Sequence, residues 1–77
     1  MWIRIDDVIC KADEFSRFYI ENMPNGDCGI FGKESDSISV LLGTYKDYKR
    51  SKKVLDNLYF ALRYGERAFT MPKDDMY

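Results

Sequence analysis

The chain has no histidine at all and only two cysteines and two prolines. The missing histidine removes the commonest general base and the commonest zinc ligand together. Cys10 and Cys28 have neither the spacing of a zinc knuckle nor that of a redox pair. They leave two readings open, one bridge or two reduced thiols buried in strands. No run of 18 apolar residues exists, which excludes a spanning helix and hence a membrane partner. Met1 to Asp7 also lacks the apolar run of a secretory leader, so the expected location is the cytoplasm.

Catalytic constellations are equally sparse. The paired carboxylates Asp6-Asp7 fall in a tight turn and Asp74-Asp75 in a terminal tail, neither placed for burial and tuning. The thiols have no histidine to activate them. Residues 29–32, Gly-Ile-Phe-Gly, have too few glycines for a phosphate loop and precede no helix. The expectation is a protein that is not an enzyme and carries no cofactor and no metal.

Aromatic residues and charge asymmetry are what the chain does have. Seventy-seven residues make one domain, 1–77, with 73–77 expected as a flexible tail. A domain this small buries only about 60–65% of the surface its unfolded chain exposes. Five Phe, six Tyr and one Trp exceed what such a core can hide, so some should meet a partner. Residues 1–36 hold four cations against eight anions, and residues 37–77 hold eight against five. Two copies could orient head against tail on that polarity, and a basic end could attract an anion. The net charge of −1 is too small for a general duplex-binding protein.

Trp2–Ile5 and Val8–Lys11 read as a hairpin about Asp6-Asp7. Phe15 to Asn22 alternates as a strand, with Phe18 and Ile20 on one face and Arg17, Tyr19 and Glu21 on the other. Pro24-Asn25-Gly26-Asp27 is the strongest turn signal. Cys28 to Lys33 pairs back, its glycines marking a bulge or a close backbone approach. Ile38 to Leu42 suits a central strand ended by Gly43. A helix over 48–64 follows, N-capped by Thr44 or, preferably, Asp47 and closed by Gly65. Its apolar stripe is expected through Tyr48, Ser51, Leu55, Leu58 and Leu62, widened by Val54 and Ala61. A last short strand, Arg67–Met71, ends at Pro72. The expected fold class is α+β: a small antiparallel sheet of four to six strands, one helix from the C-terminal half on one face, and a final short strand.

Two features suggest binding. Lys46, Lys49, Arg50, Lys52 and Lys53 crowd the helix start, where the helix dipole favours negative charge. A phosphate-bearing ligand would relieve that conflict and use the free N–H groups. A solvated basic face set against a neighbouring protomer's acidic half, or a nucleic-acid backbone, are the other readings. Expected ligand contacts are Lys46, Lys49, Arg50 and Lys53, with Tyr45 beside them. Tyr59, Phe60 and Tyr64 form the second feature, an aromatic row that could stack bases or form a dimer seam. Trp2 is either a core plug or an interface anchor.

Met1–Arg4, Leu42-Gly43-Thr44-Tyr45, Val54-Leu55-Asp56-Asn57-Leu58 and Phe69-Thr70-Met71-Pro72 together resemble a group of small proteins of Firmicutes and their prophages. Residues 13–37 contribute nothing diagnostic, and Lys49 and Arg50 replace acidic residues expected in similar proteins. The resemblance implies a phage or mobile-element origin, with action in the host cell cytoplasm. It implies a homo-oligomeric anti-defence protein, a sponge binding a cyclic or NAD-derived nucleotide signal. The alternatives are an inhibitor of a host defence protein, in the manner of an anti-CRISPR, and a small nucleic-acid-binding regulator.

Overall fold

A computed structural model describes residues 1–74. Strand β1 (Trp2–Ile5) turns into β2 (Val8–Lys11), and a single 3-10 turn (Ala12–Glu14) leads to β3 (Arg17–Asn22). Then come β4 (Cys28–Ser35), β5 (Ile38–Tyr45), the helix α1 (Tyr48–Arg63) and β6 (Ala68–Thr70). The fold is α+β, as the sequence predicts. Among the described residues, six strands form two three-stranded sheets, ordered β2-β1-β6 and β3-β4-β5.

Local chemistry explains most of these elements. Asp6 turns the first hairpin at φ +49°, a left-handed conformation that Asp tolerates better than most side chains. Gly26 takes φ +92° in the second turn, where Asn25 Oδ1 accepts the Asp27 N–H at 3.0 Å. Ile3 of β1 and Ile30 of β4 are wholly buried, so the inward residues of both sheets feed one core. That core adds Phe15, Leu42, Tyr45 and Met71, and Val54 and Leu58 of α1 close it. Strand β6 lies parallel to β1, with Ile3 opposite Phe69. A parallel pair needs a long crossover, and here the whole chain between the two strands supplies it.

Strand β5 departs from expectation in two ways. It is an edge strand, not a central one, and it runs through Gly43 to Tyr45. Phe31 faces Leu41 while Ile30 faces Gly43, so Leu42 is the extra residue of a bulge. The bulge sends Leu42 into the core and leaves Leu41 exposed, which explains an apolar pair in an edge strand. At Gly43 an added Cβ would meet the Tyr45 hydroxyl at 2.8 Å. Gly43 thus admits a ring and does not end the strand.

The helix begins and ends where the caps place it. Asp47 Oδ1 accepts the Arg50 N–H at 2.8 Å. Gly65 takes φ +69°, and Glu66 N–H reaches the Ala61 carbonyl at 2.9 Å, a Schellman closure. The buried stripe is narrower than expected: Ser51, Val54 and Leu58 are buried, while Tyr48 and Leu62 are exposed. Ser51 is tolerated inside because its hydroxyl donates to the Asp47 carbonyl at 3.1 Å.

Both cysteines are free thiols, one in each sheet. Part of the expected tail, residues 75–77, lies outside the described residues. Lys73 and Asp74 fold back, on Asp6 at 3.5 Å and on Arg50 at 3.1 Å.

Candidate functional site

The end of β5, the start of α1 and the segment after β6 enclose an open groove of about 710 Å³. Its apolar floor comes from Leu41, Leu42, Met71 and Pro72. Three cations, Lys46, Arg50 and Lys73, and two carboxylates, Asp6 and Asp74, reach its walls. Three observations explain why the chain folds this way. The Asp47 cap fixes the first turn of α1. Met71 N–H donates to the Arg4 carbonyl at 2.9 Å, which anchors the segment after β6. The Tyr45 hydroxyl then holds the Pro72 carbonyl at 2.7 Å.

The electrostatics of the helix start are partly settled within the chain. Arg50 lies 3.1 Å from the Asp74 carboxylate and 4.0 Å from that of Asp47. Asp47 therefore meets the positive end of the helix dipole through its cap bond and also faces Arg50. The first turn of α1 contains no acidic residue of its own. Lys46 and Lys49 form no ion pair among the described residues.

The structure brings together only part of the set expected from sequence. Lys46 and Arg50 line the groove. Lys49 and Lys53 are exposed on α1 and do not line it. Tyr45 is a core residue, 1% exposed, so its ring cannot stack on a ligand. The bulge at Leu42 is the physical reason, because it shifts the alternation of β5 and turns Tyr45 inward. Lys73 was missed, and Asp6 and Asp74, which the sequence offers only as carboxylates in a turn and a tail, were not expected here. The nearest signal for Lys73 and Asp74 was the ending of the last strand at Pro72, which does not say where the chain goes next.

The expected interface aromatics are all on the surface. Trp2 is 49% exposed, with the Lys11 ammonium 5.4 Å over its ring, which makes it no core plug. Tyr59, Phe60 and Tyr64 form a continuous exposed row on α1. Phe60 lies 5.7 Å from Tyr59 and 6.4 Å from Tyr64, nearly parallel to the latter. Between α1 and β3 a smaller apolar groove of about 320 Å³ is lined by Phe18, Leu55, Leu58, Tyr59 and Leu62, with Asp56 the one charged residue.

Among the described residues, no group of three or more Cys, Asp or Glu could hold a metal ion. Burial pushes the Cys10 thiol up, and the nearby Glu14 and Glu34 carboxylates add to the shift. Its thiolate is disfavoured, the opposite of what a nucleophile needs. No helix of the described residues is long and apolar enough to cross a membrane. Family models, curated proteins and solved structures give no match to this chain.

Proposed function

We propose that this chain is a non-enzymatic, homo-oligomeric binding protein that sequesters a phosphate-bearing nucleotide. The groove at the start of α1 carries the reading, because its apolar floor lies beside the cations Lys46, Arg50 and Lys73. An apolar floor accommodates a base or ribose face, and a cationic wall accommodates phosphate. Asp74 is the internal counterpart of that ligand: its carboxylate rests 3.1 Å from Arg50, where a phosphate oxygen would compete for the same guanidinium. The anti-defence setting implied by the sequence resemblance makes cyclic oligonucleotides and ADP-ribose derivatives the first ligands to test.

Native mass spectrometry of the purified protein, alone and mixed with those compounds, tests the reading. The expected result is an oligomer retaining a nucleotide, which is recovered chemically unaltered after denaturation. Lys46→Glu and Arg50→Glu should lose the ligand. A protein that retains none of the panel overturns the proposal.

The exposed row Tyr59, Phe60 and Tyr64 favours a second reading, inhibition of a host defence protein through an aromatic surface. That reading predicts a tight protein complex, lost on Phe60→Glu and indifferent to nucleotides.

A further inference from the structure

Two three-stranded sheets leave four edge strands, β2, β6, β3 and β5. Edge strands carry unpaired N–H and C=O groups, and proteins usually blunt them with short length, proline, bulges or inward charges. Three of the four are blunted here. Strand β2 has four residues, β6 has three and is followed two residues later by Pro72, and β5 has irregular register against β4. Strand β3 has six residues, no proline and unbroken register with β4. Its inward side chains, Phe18 and Ile20, are apolar and pack against the core.

The free hydrogen-bonding groups of β3 can be assigned. Met23 N–H donates to the Asp27 carbonyl at 2.8 Å, continuing the register in which Asn22 faces Cys28. In an antiparallel ladder alternate residues bond to the same neighbour, so Arg17, Tyr19 and Glu21 turn their backbone groups to β4. Those of Phe18, Ile20 and Asn22 turn outward. Among the described residues, no other backbone hydrogen bond reaches these three.

We propose that β3 is the seam of a homodimer, pairing antiparallel with its own copy about a two-fold axis at Tyr19. The sequence of β3 complements itself in that register. Phe18 meets Ile20 of the partner subunit on the helix-facing side, and Arg17 meets Glu21 of the partner subunit on the outer side. The axis repeats both contacts. Phe18 and Ile20 then supply the hydrogen-bonded pairs, in agreement with their outward backbone groups. Centring the axis on Ile20 instead sets Phe18 against Asn22 and Glu21 against Tyr19, and both matches are lost. The outer row is already ordered for pairing. The Arg17 guanidinium lies 5.4 Å over the Tyr19 ring, which stacks on Phe31 at 5.6 Å and bonds Ser39 Oγ at 2.8 Å. On the inner side, the pairing brings the partner subunit's Ile20 beside Phe18, on the rim of the apolar groove under α1. No residue of the nucleotide groove takes part, so this inference stands apart from the ligand reading.

Charge exchange tests the seam and its register together. Arg17 and Glu21 are both exposed, so substitutions there leave the core intact, and far-UV circular dichroism verifies the fold. Sedimentation equilibrium should find wild type dimeric. Arg17→Glu alone and Glu21→Arg alone each create two like-charge contacts across the axis, and each should weaken dimerisation about tenfold or more. An equimolar mixture of the two variants restores both opposite-charge contacts and should form a heterodimer. The double variant Arg17→Glu/Glu21→Arg should return to wild-type affinity. A monomeric wild type, a dimer indifferent to either exchange, or failure of the mixture to pair would each overturn the proposal.

Discussion

The Tyr45 hydroxyl donates a 2.7 Å hydrogen bond to the carbonyl of Pro72. Tyr45 is the last residue of β5 and Pro72 lies just beyond β6, so the bond ties one sheet to the other beside the groove at the start of α1. The ring is buried in the shared core while its polar tip meets the segment that forms the groove wall.

Tyr45→Phe keeps the ring and removes the bond. A net loss of about 0.5–1.5 kcal/mol is expected by urea denaturation, together with faster amide exchange around residues 71–74. Unchanged exchange there would show that the bond does not hold the segment.

Asp47→Ala removes the N-cap that accepts the Arg50 N–H. The expected cost is about 1 kcal/mol, and up to ~2. Asp47→Ser, which restores a cap acceptor without charge, should recover most of it. Failure of serine to do so would assign the effect to the carboxylate's charge beside Arg50.

Gly32→Ala tests the close approach that the glycines of β4 suggested. A Cβ there would sit 2.7 Å from Phe15 Cδ1 and 2.9 Å from Cγ, and Phe15 is buried. Because the ring has little room to retreat, overpacking should cost about 1–3 kcal/mol. Gly26→Ala meets no atom but holds φ +92°, so its cost, read from the same denaturation curves, is purely conformational.

Asp74→Asn releases Arg50 from its partner in the C-terminal segment. Because Arg50 is about a third exposed, the stability change should stay below about 1 kcal/mol. Affinity for a phosphate-bearing ligand such as ADP-ribose should rise, because a neutral amide competes poorly with phosphate. Calorimetric titration of both proteins measures the difference, and weaker binding by the variant would count against the groove as a phosphate site.

Cys10 gives a pH dependence. Its folded-state value is raised above the ordinary 9.0, so the folded protein holds the thiol proton more tightly than the unfolded chain. That contribution is fully present below the ordinary value and is lost as pH climbs through the raised one. The stability difference between wild type and Cys10→Ala should therefore narrow above about pH 9. Alkylation of Cys10 by iodoacetamide should likewise lag behind that of an unfolded chain at the same pH.

Local signals determined much of this protein. The Asp6-Asp7 and Asn25-Gly26 turns, the period-two pattern of β3, the Asp47 cap and the Gly65 stop are short-range chemistry, readable wherever neighbouring residues decide the backbone. The α+β class follows from them, as do the basic helix start and the surplus of aromatics. Tertiary structure alone decided where the end of β5 and the segment after β6 point. Tyr45 is a core residue because the bulge at Leu42, within β5 itself, shifts the strand's alternation against β4, and a one-residue shift moves side chains to the opposite face. The tail reached the groove through contacts separated by more than twenty residues, Tyr45 with Pro72 and Arg50 with Asp74. Likewise, the division of six strands into two sheets and the open edge of β3 depend on which strands meet, and no local pattern encodes that.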